Sequence, residues 1–251
     1  MSAEPDPLAT VPRDRSGFRP RGLETTRLET FTDAAFAFSL TLLVVSLEPP
    51  TDFAALARAL RDVPAFVMSG ALLMVFWWGH EQWSRRYGLD DGPAVLLSTG
   101  LVFTVLIYVY PLRFVFGLML SWLSQLTGLP LGSQTVAVTG PEDVNRLFLL
   151  YGVGFTAMCG WLTGLYVHAW RRRDALRLDA VEAWETRAGA GSWALLGSTG
   201  LLSILIAAIV PPSYLGLPGW AYMLSAFLMP AYARWADRRR PSPAGAAPPG
   251  P

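Results

Sequence analysis

Six apolar stretches, each about as long as a helix that crosses a membrane, dominate this chain of 251 residues. They cover about residues 28–47, 64–84, 94–122, 144–170, 192–211 and 214–235. A helix of about 20 residues crosses the hydrocarbon core of a bilayer, and five of the stretches reach that length easily. The sixth is the least regular because Pro218 and Pro230 interrupt it. The pattern predicts an all-α, polytopic membrane protein with six transmembrane helices.

The positions of the arginines predict how these helices are oriented. Sixteen arginines lie before the first stretch, between the second and third, between the fourth and fifth, or after the sixth. Six spans would place all sixteen on one side of the membrane and leave Arg58, Arg61 and Arg146 on the other. Short cytoplasmic loops retain positive charge, so both termini are expected to be cytoplasmic.

The composition agrees with a membrane protein and excludes some partners. Only 16% of residues are charged, against about 25% in soluble domains. The net charge of +1 gives no reason to expect a nucleic acid partner. One cysteine and two histidines predict no metal site and no cofactor. Residues 1–22 and 238–251 are rich in Pro, Gly and Ala and are predicted to be disordered cytoplasmic ends of a transmembrane domain at 23–237.

The first apolar stretch contains a carboxylate, Asp33, in the sequence RLETFTDAAFAFSLTLLVVSL of residues 27–47. A charge facing lipid costs a few kcal/mol, so Asp33 is expected to face protein, another charge or water. On a helical wheel, Asp33 shares a small and polar stripe with Thr30, Ala37 and Thr41. Such a stripe either packs against another helix or lines a path, and the sequence alone leaves both interpretations open.

The predicted topology brings second-helix side chains to the depth of Asp33. The first helix runs outward, which places Asp33 about 9 Å from its inner start at about 1.5 Å per residue. The second helix runs inward, so Trp77 and His80 reach the same depth. We hypothesise a network of these three residues, with Arg27 or Thr32 as further partners, that fixes the first helix at its inner end. For His80, packing and pH sensing are the two alternatives.

The same residues carry a resemblance to a known family. Arg27, Phe31, Thr32, Asp33 and Ala37 form the pattern RxxxFTDxxxA. It resembles the RxxxFSDxxxA signature of the transmembrane protein 175 family, potassium channels of lysosomes and bacteria that lack the TVGYG filter. Thr32 stands where the signature has serine, and it keeps the hydroxyl.

Two later motifs extend the resemblance into the second and third helices. Trp77 and His80 in FWWGHEQW (76–83) resemble the WxxHH stretch of the family, and YPLRF (110–114) resembles the end of its third helix. The resemblance implies a homotetramer of six-helix subunits, whose first helices surround a central pore with an apolar constriction and a threonine layer that contributes to potassium preference.

Counting from Asp33 gives the residues of this chain that correspond to the pore positions of the family. The constriction falls on Phe38, where the family usually has Ile or Leu, and the selectivity threonine falls on Thr41. Leu42 and Val45 continue the expected pore face. Four phenyl rings either close the path or offer their faces to a cation, an attraction of roughly 0.5 to 2 kcal/mol.

The resemblance therefore implies a passive cation channel, potassium-selective or weakly selective, in the bacterial cytoplasmic membrane. Its partners would be potassium ions and the lipid bilayer. The alternatives are a membrane scaffold or subunit that does not conduct ions, and a proton-leak or small-molecule pathway. An enzyme is not expected, since no Ser or Cys nucleophile motif accompanies Glu81 and His80.

Overall fold

The computed structural model describes residues 11–14, 16–45, 51–129, 140–211 and 216–241. Within these ranges the chain forms eight α-helices and no β-strand. The helices are α1 (Arg27–Val45), α2 (Phe53–Arg61), α3 (Val63–Tyr87), α4 (Gly92–Thr127), α5 (Pro141–Arg171), α6 (Ala180–Ile209), α7 (Leu217–Met223) and α8 (Ser225–Arg238). The predicted all-helical architecture is confirmed for the described part of the chain.

Four helices in the described ranges, α3 to α6, are both long and apolar enough to cross a membrane. α1 has 19 residues, a length of about 28 Å at 1.5 Å per residue. The predicted sixth span forms two shorter helices that separate at Leu224. Pro230 also leaves the carbonyl of Ala226 without its usual helical donor, because proline has no N–H. The number of six spans therefore stays a prediction.

Local sequence signals explain where several helices begin and end. Thr26 precedes α1, and its hydroxyl accepts the backbone N–H of Glu29 at 3.1 Å. Asp179 and Glu182 form a reciprocal capping box at the start of α6. That box begins the helix at Ala180, about one dozen residues before the predicted span. Gly88 ends α3 in the left-handed conformation, with φ of 58°.

Small residues let α5 and α6 pack closely. Gly152 and Thr156 on α5 face Gly200 on α6, where an added Cβ would meet the hydroxyl of Thr156. An added Cβ at Gly197 would lie 2.9 Å from the Cβ of Cys159. Helices approach closely in lipid when small residues line their contact. α1 packs elsewhere in the bundle, against α3 and α4.

The N-terminal segment corrects one expectation. Residues 16–22 fall in the region predicted to be disordered, yet Phe18 is fully buried. Its ring meets Tyr87 edge to face at 5.4 Å, and the guanidinium groups of Arg21 and Arg86 lie over it at 5.4 and 5.0 Å. One aromatic anchor and its arginine neighbours outweigh the Pro-rich composition. Residues 1–10, 15 and 242–251 lie outside the described residues.

Asp91 joins the start of α4 to the end of α5. Its carboxylate accepts hydrogen bonds from the backbone N–H of Ala94 at 3.2 Å, from Nε2 of His168 at 2.8 Å and from Arg172 at 2.8 Å. Burial raises the pKa of the Asp91 carboxyl, but these hydrogen bonds outweigh burial and hold the pKa below its ordinary value. His168 and Arg172 thus connect the end of α5 to the carboxylate of Asp91 at the start of α4.

Gly154 provides a test of the α4–α5 contact. In Gly154→Ala the added Cβ would overlap the ring of buried Tyr108, and such overpacking costs about 1–3 kcal/mol. Gly160→Ala on the same helix meets nothing within 4 Å and serves as the matched control. We expect only the first variant to lower the thermal unfolding temperature of the purified protein in detergent. Equal melting of the two variants would contradict the packing of Tyr108 on Gly154.

Candidate functional site on the first helix

One face of α1 is buried against the bundle. Its members recur at helical spacings of three and four residues and have less than 9% of their surface exposed. They are Glu29, Thr32, Phe36, Ser39 and Leu43. α3 and α4 are the helices that α1 contacts. This face fixes the rotation of α1 about its own axis.

The opposite face of α1 is uncovered in the single chain. Phe31 and Phe38 are 53% and 57% exposed, and Arg27, Ala37 and Thr41 are exposed beside them. Large apolar side chains at such positions need lipid, another subunit or a pore around them. The predicted constriction residue Phe38 and the predicted selectivity residue Thr41 therefore share the uncovered face. Leu42 is half-buried, and the side chain of Val45 lies outside the described part of the chain.

The hydroxyl of Thr41 is oriented by its own helix. It donates to the carbonyl of Ala37 at 3.1 Å. A threonine hydroxyl has one proton and two acceptor lone pairs. Because the proton is committed to the helix, the exposed oxygen of Thr41 presents lone pairs to its surroundings. That is the chemistry by which an oxygen contacts a cation.

Asp33 and Trp77 form the contact that their predicted depths suggested. The indole Nε1 of Trp77 donates to Oδ1 of Asp33 at 2.7 Å, and both side chains are half-buried. A hydrogen bond to a charged group is shorter and stronger than one between neutral groups. The costly carboxylate of α1 is thus bound to α3.

The rest of the hypothesised network is arranged differently. His80 is buried, and its Nε2 lies 2.9 Å from the hydroxyl of Ser98 on α4. The hydroxyl of Thr32 donates to the carbonyl of Leu28 within α1. Arg27 is exposed at the start of the helix. The polar residues therefore form two separate pairs, one between α1 and α3 and one between α3 and α4.

A second carboxylate of α1, Glu29, was missed by the reasoning from sequence. Its side chain is buried and accepts a hydrogen bond from the hydroxyl of Ser84 near the end of α3, at 3.2 Å. The available signal was the sequence TRLE, since a Thr followed three residues later by Glu marks a helix start. Asp33 and Glu29 together hold the N-terminal half of α1 on α3, at two levels about one turn apart.

The long apolar helices define a multi-pass membrane protein. Within it, α1 is held on α3 by its carboxylates and is open on its other face. The comparisons with known proteins specify its family. The model of the family described as the endosomal/lysosomal potassium channel TMEM175 matches residues 27–111. A potassium channel of Marivirga tractuosa is 32% identical over 230 residues, which cover 88% of this chain and 92% of that protein.

A solved structure agrees with this sequence relationship. It is the crystal structure of a threonine-to-alanine variant of the potassium channel MtTMEM175, in complex with a nanobody–MBP fusion protein. The two chains share 30% identity and superpose with a TM-score of 0.79, over 91% of this chain and 100% of the other. The present chain belongs to the TMEM175 family, and the resemblance inferred from its motifs is confirmed.

The bond between Asp33 and Trp77 predicts a specific loss of stability. Trp77→Phe keeps an aromatic ring and removes the N–H that donates to Oδ1 of Asp33. A hydrogen bond to a charged group contributes about 1.5–3 kcal/mol, and we expect a loss of that size in thermal or chemical unfolding. Trp78→Phe is the matched control because Trp78 is exposed. In the double variant with Asp33→Asn, additive effects would refute direct coupling of the two side chains.

Proposed function

We propose that the chain is a passive potassium channel of the bacterial cytoplasmic membrane, formed by four copies whose α1 helices surround a central pore. The observation that carries the proposal is the uncovered face of α1, on which Phe38 and Thr41 are exposed beside small Ala37. Membership of the TMEM175 family supports the ion, since the Marivirga tractuosa relative is a potassium channel. In this proposal, the first helix contacts neighbouring subunits and lines the ion path.

The chemistry of conduction follows from the order of residues along α1. Four Phe38 rings form the narrowest and driest level, where a cation loses part of its water. Thr41 lies about 4.5 Å further along the helix at 1.5 Å per residue. Its hydroxyl oxygens replace part of the lost hydration shell, and the ring faces of Phe38 attract the cation. An apolar constriction of this kind also gates by losing its water.

The distribution of charge supports the proposed orientation. Arg21, the end of α3 and the start of α6 meet at one end of the bundle, where Arg21 pairs with Glu182 at 2.7 Å. The start of α1 lies at this end as well, through Glu29 and Ser84. Positive charge is retained on the cytoplasmic side. We therefore assign this end of the bundle, and both termini with it, to the cytoplasm.

Potassium flux into liposomes that contain the purified protein tests the proposed function. We expect the wild-type protein to conduct, and Phe38→Ala to raise the flux about tenfold, the effect of about 1.4 kcal/mol of barrier. Thr41→Ala is expected to reduce the preference for potassium over sodium, because an oxygen ligand is lost. Bilayer recordings in potassium and in sodium measure both effects.

The matched control for this test is Phe227→Ala. Phe227 is 77% exposed and lies on α8, which packs against α6 and α7 and not against α1. We expect its flux to equal that of the wild-type protein. If the protein conducts but neither Phe38→Ala nor Thr41→Ala changes its flux or selectivity, the assigned pore is refuted. An assembled tetramer without any flux would instead favour a membrane scaffold.

A further inference from the structure

Residues 16–22, here called the N-terminal strap, cross the inner end of the bundle ahead of α1. Two carboxylates at the start of α6 contact the strap: Asp179, whose Oδ2 lies 3.5 Å from Nη2 of Arg19, and Glu182 in the first turn, which is completely buried. Nε of Arg19 lies 3.0 Å from its Oε1, and Nη2 of Arg21 lies 2.7 Å from its Oε2. Glu182 thus binds two arginines of the strap at once.

Backbone donors complete the environment of this carboxylate. The N–H of Arg19 donates to Oε1 at 3.0 Å, and the N–H of Asp179 donates to Oε2 at 3.1 Å. A buried charge is costly unless opposite charges and hydrogen bonds compensate it. Glu182 has both, on both oxygens. The arrangement therefore depends on the strap being in place, since its departure would leave a buried carboxylate with one backbone donor.

The strap is also attached to the last turn of α3. The N–H of Gly22 donates to the carbonyl of Arg85 at 3.0 Å, and the N–H of Arg21 lies 3.2 Å from the same oxygen. The backbones are so close that a Cβ on Gly22 would lie 2.5 Å from the carbonyl oxygen of Ser84. Only glycine fits here. The end of the strap therefore has a fixed position relative to α3.

The connection from the strap to α1 is short. Residues 23–26 separate Gly22 from the first residue of α1, and five Cα steps span at most about 19 Å. The first turn of α1 rests on the same turn of α3, through Glu29 and Ser84. A displacement of the strap therefore acts directly on the inner end of the helix that we propose lines the pore.

We infer that Glu182 is a positioning residue for the pore helix: by binding Arg19 and Arg21 it holds the strap, and the strap holds the inner end of α1. This inference rests on the proposed channel function. It assigns to the start of α6 an effect on how often the pore opens. The width and chemistry of the open pore stay with Phe38 and Thr41, which Glu182 does not touch.

Glu182→Gln tests the inference with little disturbance of α6. Glutamine serves as well as glutamate in a capping box, so the substitution keeps the helix start and removes the charge that binds the arginines. We expect the open probability of single channels to change at least about fivefold, the lower end of coupling between sites. The conductance of the open channel is expected to stay that of the wild-type protein.

Glu185→Gln is the matched control. Glu185 lies one turn further along α6 at the same end of the bundle, and it pairs with Arg240 at 3.1 Å instead of with the strap. We expect its open probability to equal that of the wild-type protein. If Glu182→Gln does not give an assembled protein, Arg19→Gln weakens the same contact while Arg21 remains on the carboxylate.

Limited digestion with trypsin tests the strap independently of conduction. The chain has no lysine, and the bond after Arg19 is resistant because proline follows, so cleavage after Arg21 reports release of the strap. We expect Glu182→Gln to accelerate this cleavage and Glu185→Gln to leave it unchanged, as measured by mass spectrometry of the fragments that end at Arg21.

The outcomes of these experiments distinguish three failures: of the strap attachment, of the positioning role and of the proposed channel function. Unchanged cleavage after Arg21 in Glu182→Gln would overturn the assignment of Glu182 as the residue that holds the strap. Faster cleavage with unchanged open probability would overturn its positioning role. A wild-type protein without flux would overturn the proposed function and that role together, and the cleavage rate would still decide whether Glu182 holds the strap.

Discussion

The carboxylates of α1 determine how this helix lies in the bundle, and the uncovered face depends on them. Asp33 binds Trp77, and Glu29 binds Ser84, so both carboxylates are directed at α3. At 100° per residue, Phe38 lies about 140° from Asp33 around the helix. Binding of Asp33 to α3 therefore turns Phe38 away from α3. A rotation that buried Phe38 would expose a carboxylate to an apolar environment, at a cost of a few kcal/mol.

Sequence reasoning predicted the apolar helices well and their ends less well. Hydropathy marks the interior of a span, whereas capping residues and ion pairs mark where a helix starts. The box of Asp179 and Glu182 begins α6 well before its apolar part. The strap was missed for a related reason. Its average composition resembles a disordered segment, but Phe18 and two arginines find an aromatic pocket and a carboxylate that lie far away in sequence.

The candidate site was partly predictable, because a depth in the membrane can be inferred and a rotation cannot. Counting residues along antiparallel helices placed Asp33, Trp77 and His80 at one level, and the bond between Asp33 and Trp77 is present. His80 follows Trp77 by three residues, which turns it about 60° around the helix. It consequently faces Ser98 on α4. Which neighbour a side chain meets depends on packing that the spacing of one helix does not contain.

The separation of charged and apolar groups along α1 explains why the inner end of the helix bears on conduction in the proposed pore. The carboxylate contacts to α3 hold only the N-terminal half of α1, whereas Phe38 and Thr41 lie further along, on the face that the chain leaves uncovered. Ala37 is adjacent to Phe38 and about 100° away around the helix. A rotation of α1 by a fraction of that angle would replace part of each phenyl ring at the pore axis with a methyl group. In the proposed pore the width at this level would change steeply with rotation, so the contacts that fix the N-terminal end of α1 would also set the state of the constriction.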